Sequence, residues 1–403
     1  MALASTSLVN MRAILESTFG TTPGSGNPTV LRFTGETLSY DISKKVSDEI
    51  NSNRSATSMV PTNATVSGGI TQEMHYAGIE PMLESTLQSA FVEFGTNGVG
   101  ASTTTTTISA TEITAPATSG ANIFTALQPG QWFRIVSAGA NSGKILRVHP
   151  TTAPTTTVIT LDTSTPGAVS ASEAIVIQSA RLTHGITQTS WSIEKEAADI
   201  GIFLLHKGCT PSKFSMKVAS GSLSTISFDF MGKSALEDTS TMLPGTPVAA
   251  PTYDVHSGVS GATNAVWMDG VPLTGTYVKS VSLDFDNALR SQEAIGTLGS
   301  VAIGAGTLSI KATVEVYFAD AALFTKYRSN TYTSLIFAST DSSGNGYLIT
   351  LPKVNIDSWK SNAGGKDQDQ MISMSLTGLS DDANADADLR KAIFIDRIGV
   401  AVV

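Results

Sequence analysis

The chain has 403 residues, 41% of them hydrophobic and 15% charged, a length at which a single core ordinarily gives way to two or three domains. A net charge of -9, with no Lys/Arg cluster, excludes a protein that grips nucleic-acid phosphates by releasing counterions. The single cysteine, Cys209, excludes an intramolecular disulfide or a cysteine-rich zinc site and reads as a small buried hydrophobe.

Met1 to Gly20 lacks the basic start and apolar core of a secretory signal, and no run of about 18 apolar residues occurs. The expectation is a soluble chain, without membrane insertion, that stays where it is made. Residues 1–30 are broken by Phe19-Gly-Thr-Thr-Pro-Gly-Ser-Gly-Asn-Pro and are expected to form an arm outside the core, with Met11 to Leu15 helical or extended. Leu38-x-Tyr40-x-Ile42 then alternates, followed after a polar stretch by Val66, Ile70, Met74 and Tyr76 and by a short helix over Ile79 to Leu87.

Gly95 to Thr107, with five consecutive threonines, reads as a flexible crossing into a small separate β module. Within that module four β-rich runs, at Trp132–Val136, Lys144–Val148, Val158–Leu161 and Ala174–Ile177, are separated by turn residues. From Arg181 the first unit resumes with Trp191-x-Ile193, Ile202–Leu205, Phe214-x-Met216-x-Val218 and Ile226–Phe230. Residues 236–270 read as a linker in which Tyr253–Val255 and Ala265–Met268 are candidate edge strands.

The pattern then repeats about 242 residues on. Val281-x-Leu283-x-Phe285 leads to alternating Leu308, Ile310, Val314, Val316 and Phe318, then a helix over Ala321–Tyr327, and Ile226-Ser-Phe228-x-Phe230-x-Gly232 is answered by Ile372-Ser-Met374-x-Leu376-x-Gly378. Strands are expected at 276–286, 306–318, 334–339, 346–354 and 370–379, followed by an apolar tail that needs a partner surface. The predicted division is a first β domain over 31–99 and 181–235, an inserted module over 100–180, a second β domain over 271–384 and a C-terminal arm over 385–403. The fold class is therefore mainly β: two tandem sandwich or barrel domains, each with a short helix, plus the inserted module.

Alternation puts Ser39, Asp41, Ser67, Thr71, Glu73 and His75 on a wet face in the first copy, and Ser282, Asp284, Ser309, Lys311, Thr313 and Glu315 in the second. Asp41 is matched with Asp284 and Glu73 with Glu315. Two readings of these acids are open: they line a channel, or they solvate an outer sheet face, and Lys311 favours the second. The polar segments 43–65 and 286–305 are too long for tight hairpins. Their Lys44, Lys45, Asp48, Glu49, Arg54, Arg290 and Glu293 are either contacts to a stacked neighbour or solvated loop tips.

Signals for chemistry are weak. The run Asp381-Asp382-Ala-Asn384-Ala-Asp386-Ala-Asp388 starts like a calcium loop but lacks its turn glycine and has Ile393 at the bidentate position. Gly296, Gly299, Gly304 and Gly306 have no nucleotide-binding spacing, and His75, His149, His184, His206 and His256 form no helical ligand pair. No catalytic, cofactor or metal residue is assigned.

In Phe19-Gly-Thr-Thr-Pro, Leu31-Arg-Phe-Thr-Gly, the strand and helix Gly68–Leu87 and the run Leu335–Pro352, the chain resembles bacteriophage tail tube proteins of long non-contractile tails, in the form with a duplicated tube domain. The resemblance implies a structural virion protein that stacks as trimeric, pseudo-sixfold rings around a tape-measure protein, meets tail terminator and tip proteins, and later conducts double-stranded DNA without binding its sequence. It implies assembly in the host bacterial cytoplasm and a place in the virion tail. Two other readings cover parts of the sequence: a receptor-binding or decoration protein using the Thr-rich module, and a β-rich polysaccharide-degrading enzyme, against which the scattered Trp132, Trp191, Trp267 and Trp359 speak.

Overall fold

Runs that alternate apolar and polar residues over seven to nine positions form strands with one buried and one wet face, and here they pair antiparallel throughout the main sheet. The computed structural model describes residues 4–95, 99–101, 106–116, 124–164, 168, 170–258, 266–273, 277–317, 322–362, 365–366, 369–384 and 386–399. In chain order its principal elements are β1 Val9–Leu15, β2 Ser39–Val46, β3 Met59–Glu73, α1 Glu80–Leu87, β4 Ala180–Thr183, β5 Trp191–Ala197, β6 Ile202–Ala219, β7 Thr225–Gly232 and β8 Ser234–Asp238. They continue as β9 Val278–Asp286, β10 Ser309–Tyr317, α2 Ala322–Arg328, β11 Thr333–Thr340, β12 Gly346–Asn362, β13 Met371–Leu379 and β14 Phe394–Ile398. Phe318, Ala321, Ala265, Val259–Gly261 and the tail Val400–Val403, all within segments that the sequence reading names, lie outside the described residues.

Eight strands join in the order β2-β3-β7-β6-β9-β10-β13-β12. The order within β2-β3-β7-β6 is that of β9-β10-β13-β12. The long strands β6 and β12 each run on into a second layer, where β6 pairs with β5 and β8, and β12 pairs with β11 and β14. Bulges fall at corresponding places: Pro211/Lys213 in β6 against β7 and Ile356/Ser358 in β12 against β13, with Trp191/Ile193 in β5 and Thr333/Leu335 in β11.

Carrying register outward from these bulges fixes which residues correspond. Phe214 and Trp359 face Phe228 and Met374, which face Ile70 and Val314, which face Glu36 and Val281. By this count Leu38 corresponds to Leu283, Tyr40 to Phe285, Asp41 to Asp286, and Glu73 to Tyr317. The sequence matching of Asp41 with Asp284 and Glu73 with Glu315 is thus out by two residues. A slip of two preserves the face of every side chain, so alternation cannot detect it and only pairing does.

The buried face carries the core. Ile70, Phe228, Phe214, Phe285 and Ile310 form one row across five strands, with Phe214 and Phe285 stacked at 5.1 Å where the halves meet. Helices α1 and α2 close this face; α1 buries Met82, Leu83 and Leu87. A polar cluster ties the two halves together: Tyr347 Oη donates to Glu80 at 2.9 Å and accepts from the Ala77 amide, while Arg397 donates to Glu80 at 2.9 Å and to Glu93.

Several expectations are corrected. β1 is not a free arm: it pairs along its length with β5 and buries Met11 and Ala13 in the core. The C-terminal apolar run, expected as a strand or docking arm in need of a partner surface, has that surface within its own chain over Phe394–Ile398, where β14 lies between β4 and β12. Ser234–Asp238, partly inside the expected linker, is a strand on β6, and Val266–Met268 pairs with β11, whereas Tyr253–Val255 contributes only the single bridge His75–Val255. Within the expected flexible crossing, Val99–Ala101 and Thr106–Ile108 are strands. They belong to two four-stranded sheets that also contain Trp132–Ser137, Ile145–Arg147, Val158–Thr160 and Ile175–Gln178, around a core of their own.

His75 is buried rather than wet, since the chain leaves the sheet after Glu73 and its alternation stops there. His256 is likewise buried against Ser339 and Tyr347, with Asp341 and His75 as titratable neighbours. Burial pushes its imidazole down to about 4 and also lowers His75, His184 and His206. A depressed imidazole is neutral when folded and titrates at its ordinary 6.5 when unfolded, so stability is complete above that value and is lost as pH falls towards 4. For His256 the slope is up to about 1.4 kcal/mol per pH unit. Thermal melts between pH 7 and 4 are expected to show this loss, with a shallower slope in His256→Gln.

Cys209 is wholly buried, and burial pushes its thiol far above the ordinary range. A thiol reagent is expected to leave the native chain unlabelled and to react stoichiometrically in denaturant; rapid native labelling contradicts this packing.

Candidate assembly edges and polar sheet face

The wet face of the eight-stranded sheet is continuous across both halves. One row reads Thr71, Ser227, Ser215, Asp284, Lys311, Thr377, and the next Gly69, Asp229, Lys213, Asp286, Ser309. A third runs from Glu73 through Thr225, Lys217, Ser282, Thr313 and Ser375 to Ser358. Asp41, Glu73, Asp284 and Glu315 all lie on this face, as alternation requires.

Further charged residues share the face and escape the sequence reading, among them Asp229, Asp286, Lys213, Lys217 and Lys360. Their signal is present, since Lys213, Ser215 and Lys217 alternate with Phe214 and Met216. The lysines are set among acids: Lys213 Nζ lies 3.0 Å from Asp286, a hydrogen bond that holds its ammonium above the usual range, and Lys311 stands opposite Asp284. Carboxylates remain in excess over Lys213, Lys217, Lys311 and Lys360, and no basic groove forms among the described residues of the face.

The two ends of this sheet are open. Within the chain, β6 pairs with β9. Their counterparts are the 355–362 part of β12 and the outer edge of β2, and neither is paired on that side with any described strand. The Thr37 amide donates inward to the Gly69 carbonyl at 2.9 Å, so by antiparallel alternation the amides of Tyr40 and Ile42 point outward, while that of Leu38 donates to Glu36 Oε2 at 3.1 Å. Trp359 and Phe324 of α2 sit at the β12 edge with their rings 5.6 Å apart, and Phe324 is 42% exposed. An unpaired edge flanked by exposed aromatic surface is a template for another strand.

The predicted loop residues Lys44, Lys45, Asp48, Glu49, Arg54, Arg290 and Glu293 are all exposed and make no ion pair among themselves. The first of the two projections, β2 with the start of β3, extends beyond the sheet. For that reason Ile42, expected in the core, is 42% exposed. The second folds as the small ribbon Arg290–Gln292 with Ala302–Gly304, and Asn63 of the first donates to Glu293 of the second.

Among the described residues no group of three or more His, Cys, Asp and Glu side chains is placed to hold a metal ion, and no helix is long and apolar enough to cross a membrane. A family model described as phage tail tube protein matches residues 6–378. No curated protein matches the chain.

Proposed function

Since the chain belongs to the phage tail tube protein family, we propose that it is the subunit of a hollow tail tube built from rings of three copies, in each of which the tube domain occurs twice. The observation that carries this reading is the pair of open edges. The β6–β9 joint inside the chain is a worked instance of the contact, and its counterparts β12 and β2 are left free to make it between chains. Transferring the register of that joint sets Trp359 beside Tyr40 on the apolar face and Ser358 beside Asp41 on the polar face, where the chain itself sets Phe214 beside Phe285 and Lys213 beside Asp286. Three copies then close one barrel with no free edge.

In that barrel the polar face looks into the channel, with Asp41, Glu73, Asp284 and Glu315 among its lining. Excess carboxylate repels duplex phosphates, and Lys213 and Lys311 are engaged with or opposed to an acid, so DNA passes without a counterion-releasing grip. The tube assembles around a tape-measure protein, is capped by terminator and tip proteins, and belongs to the virion tail. Its role is structural rather than catalytic. Negative-stain electron microscopy of the purified chain is expected to show rings and hollow tubes; a chain that stays monomeric at high concentration, alone and with its tape-measure protein, contradicts the proposal.

A further inference from the structure

Helix α1 belongs to the first half and is fastened to the second half by hydrogen bonds at both of its ends. Near its C-terminus the Asn287 side-chain amide donates to the Thr86 carbonyl at 2.7 Å. At its N-terminus Tyr347 Oη donates to Glu80 and accepts from the Ala77 amide. Between these ties Met82 is buried in the same core as Phe214 and Phe285. These contacts are the helical side of the joint that β6 makes with β9.

Register fixes what stands at the same places in the other half. The two helices end alike: the amides of Gln88 and Ser89 return to the carbonyls of Ser85 and Glu84, as those of Asn330 and Thr331 return to Tyr327 and Lys326. Gln88 and Asn330 both have positive φ. Helix α2 therefore carries Phe324 where α1 carries Met82, and Arg328 where α1 carries Thr86. Counting on from Tyr40 and Phe285, Ile42 corresponds to Asn287. Counting on from the bulges of β5 and β11, Ile202 opposite Ala197 corresponds to Tyr347 opposite Ser339.

Burial differs sharply between the two sets. Met82, Asn287 and Tyr347 are at most 7% exposed, whereas Phe324, Ile42 and Ile202 are 40–42% exposed. Three apolar side chains are left partly in water at the places where the seam within the chain is closed.

We infer that α2 of one copy lies across the next copy, over Ile42 and Ile202, and buries Phe324 there, so that the seam between copies is apolar where the seam within the chain is hydrogen-bonded. The occupant is a second copy of this chain. The operation that carries β6 on β9 into β12 on the next β2 also carries α1 on Asn287 and Tyr347 into α2 on Ile42 and Ile202. The seam that forms on folding is thus specified by polar contacts, and the seam that forms on assembly is driven by burial of apolar surface. The inference rests on the ring reading above, but it concerns the helix layer rather than the strand edges.

The test measures ring formation by full-chain variants in sedimentation, with thermal melts to check that folding is unchanged. Phe324→Gln and Ile202→Gln, on two different elements and both at exposed positions, are each expected to weaken association about tenfold or more at every joint. Phe324→Met, which copies the residue at the matching place in α1, is expected to form rings as the wild-type chain does. Folded Phe324→Gln and Ile202→Gln chains that form rings with wild-type affinity overturn the inference and leave the ring reading intact, as does a folded Phe324→Met chain that loses them. A wild-type chain that makes no rings overturns the ring reading itself.

Discussion

Ile42→Pro is expected to leave the subunit folded and to abolish ring formation. Ile42 lies on the outermost strand of the sheet and is 42% exposed, and by the alternation set at Thr37 its amide points away from β3. Proline there removes no ladder hydrogen bond within the chain, but it deletes an outward donor and places its ring where a neighbouring strand must approach. Each lost edge hydrogen bond is worth about 0.5–1.5 kcal/mol, and the clash adds to it, so association is expected to weaken at least tenfold at each joint. Because closure requires every joint, the loss compounds around a ring. Sedimentation analysis should return monomers with wild-type circular dichroism; intact rings would show that β2 is not the joining edge.

Asp396→Ala is expected to cost about 3–5 kcal/mol of stability. Asp396 is fully buried in β14 and accepts two hydrogen bonds from Arg181, from Nε at 2.7 Å and from Nη2 at 2.9 Å, and a third from the Trp132 amide at 3.0 Å. Removing the carboxylate strands the Arg181 guanidinium, 4% exposed over the Phe394 ring, without its counter-ion. The same carboxylate fastens the β-rich segment containing Trp132 to β14, so that segment should loosen as well. Chemical denaturation gives the measurement, and replacing the pair together, as Arg181→Met with Asp396→Leu, is expected to recover much of the loss because no buried charge is then left alone.

Much of this architecture is legible in the residues. The strands β9, β10 and β13 and the helix α1 declare themselves through alternation and apolar spacing, and the recurrence of the same order announces two similar units. What alternation cannot supply is register, which is why it sets Asp41 against Asp284 rather than Asp286. It also fails where pairing is irregular. β6 reads as two strands because Pro211 sits at its bulge, and the open half of β12 goes unread beyond Val354 because the bulge at Ile356/Ser358 shifts the alternation and the residues there are polar. That unread segment is the edge on which assembly depends: a strand that meets its partner only in the next molecule carries too little intrachain pattern to be recognised. β1 and β14 mislead for the converse reason, since apolar termini look like arms until the strands they pair with, far away in sequence, are known.

The central claim is that β12 of one copy joins β2 of the next in the register of β6 on β9. Its most direct test is the chain carrying Asp41→Cys and Ser358→Cys, two positions set opposite each other across the proposed joint, with the buried Cys209 unable to interfere. Oxidation of assembled tubes is expected to yield a covalent product of three chains and no larger ladder on non-reducing gels, and neither single variant should cross-link. Assembled tubes whose chains stay uncrosslinked, or that link into ladders beyond three, would contradict it.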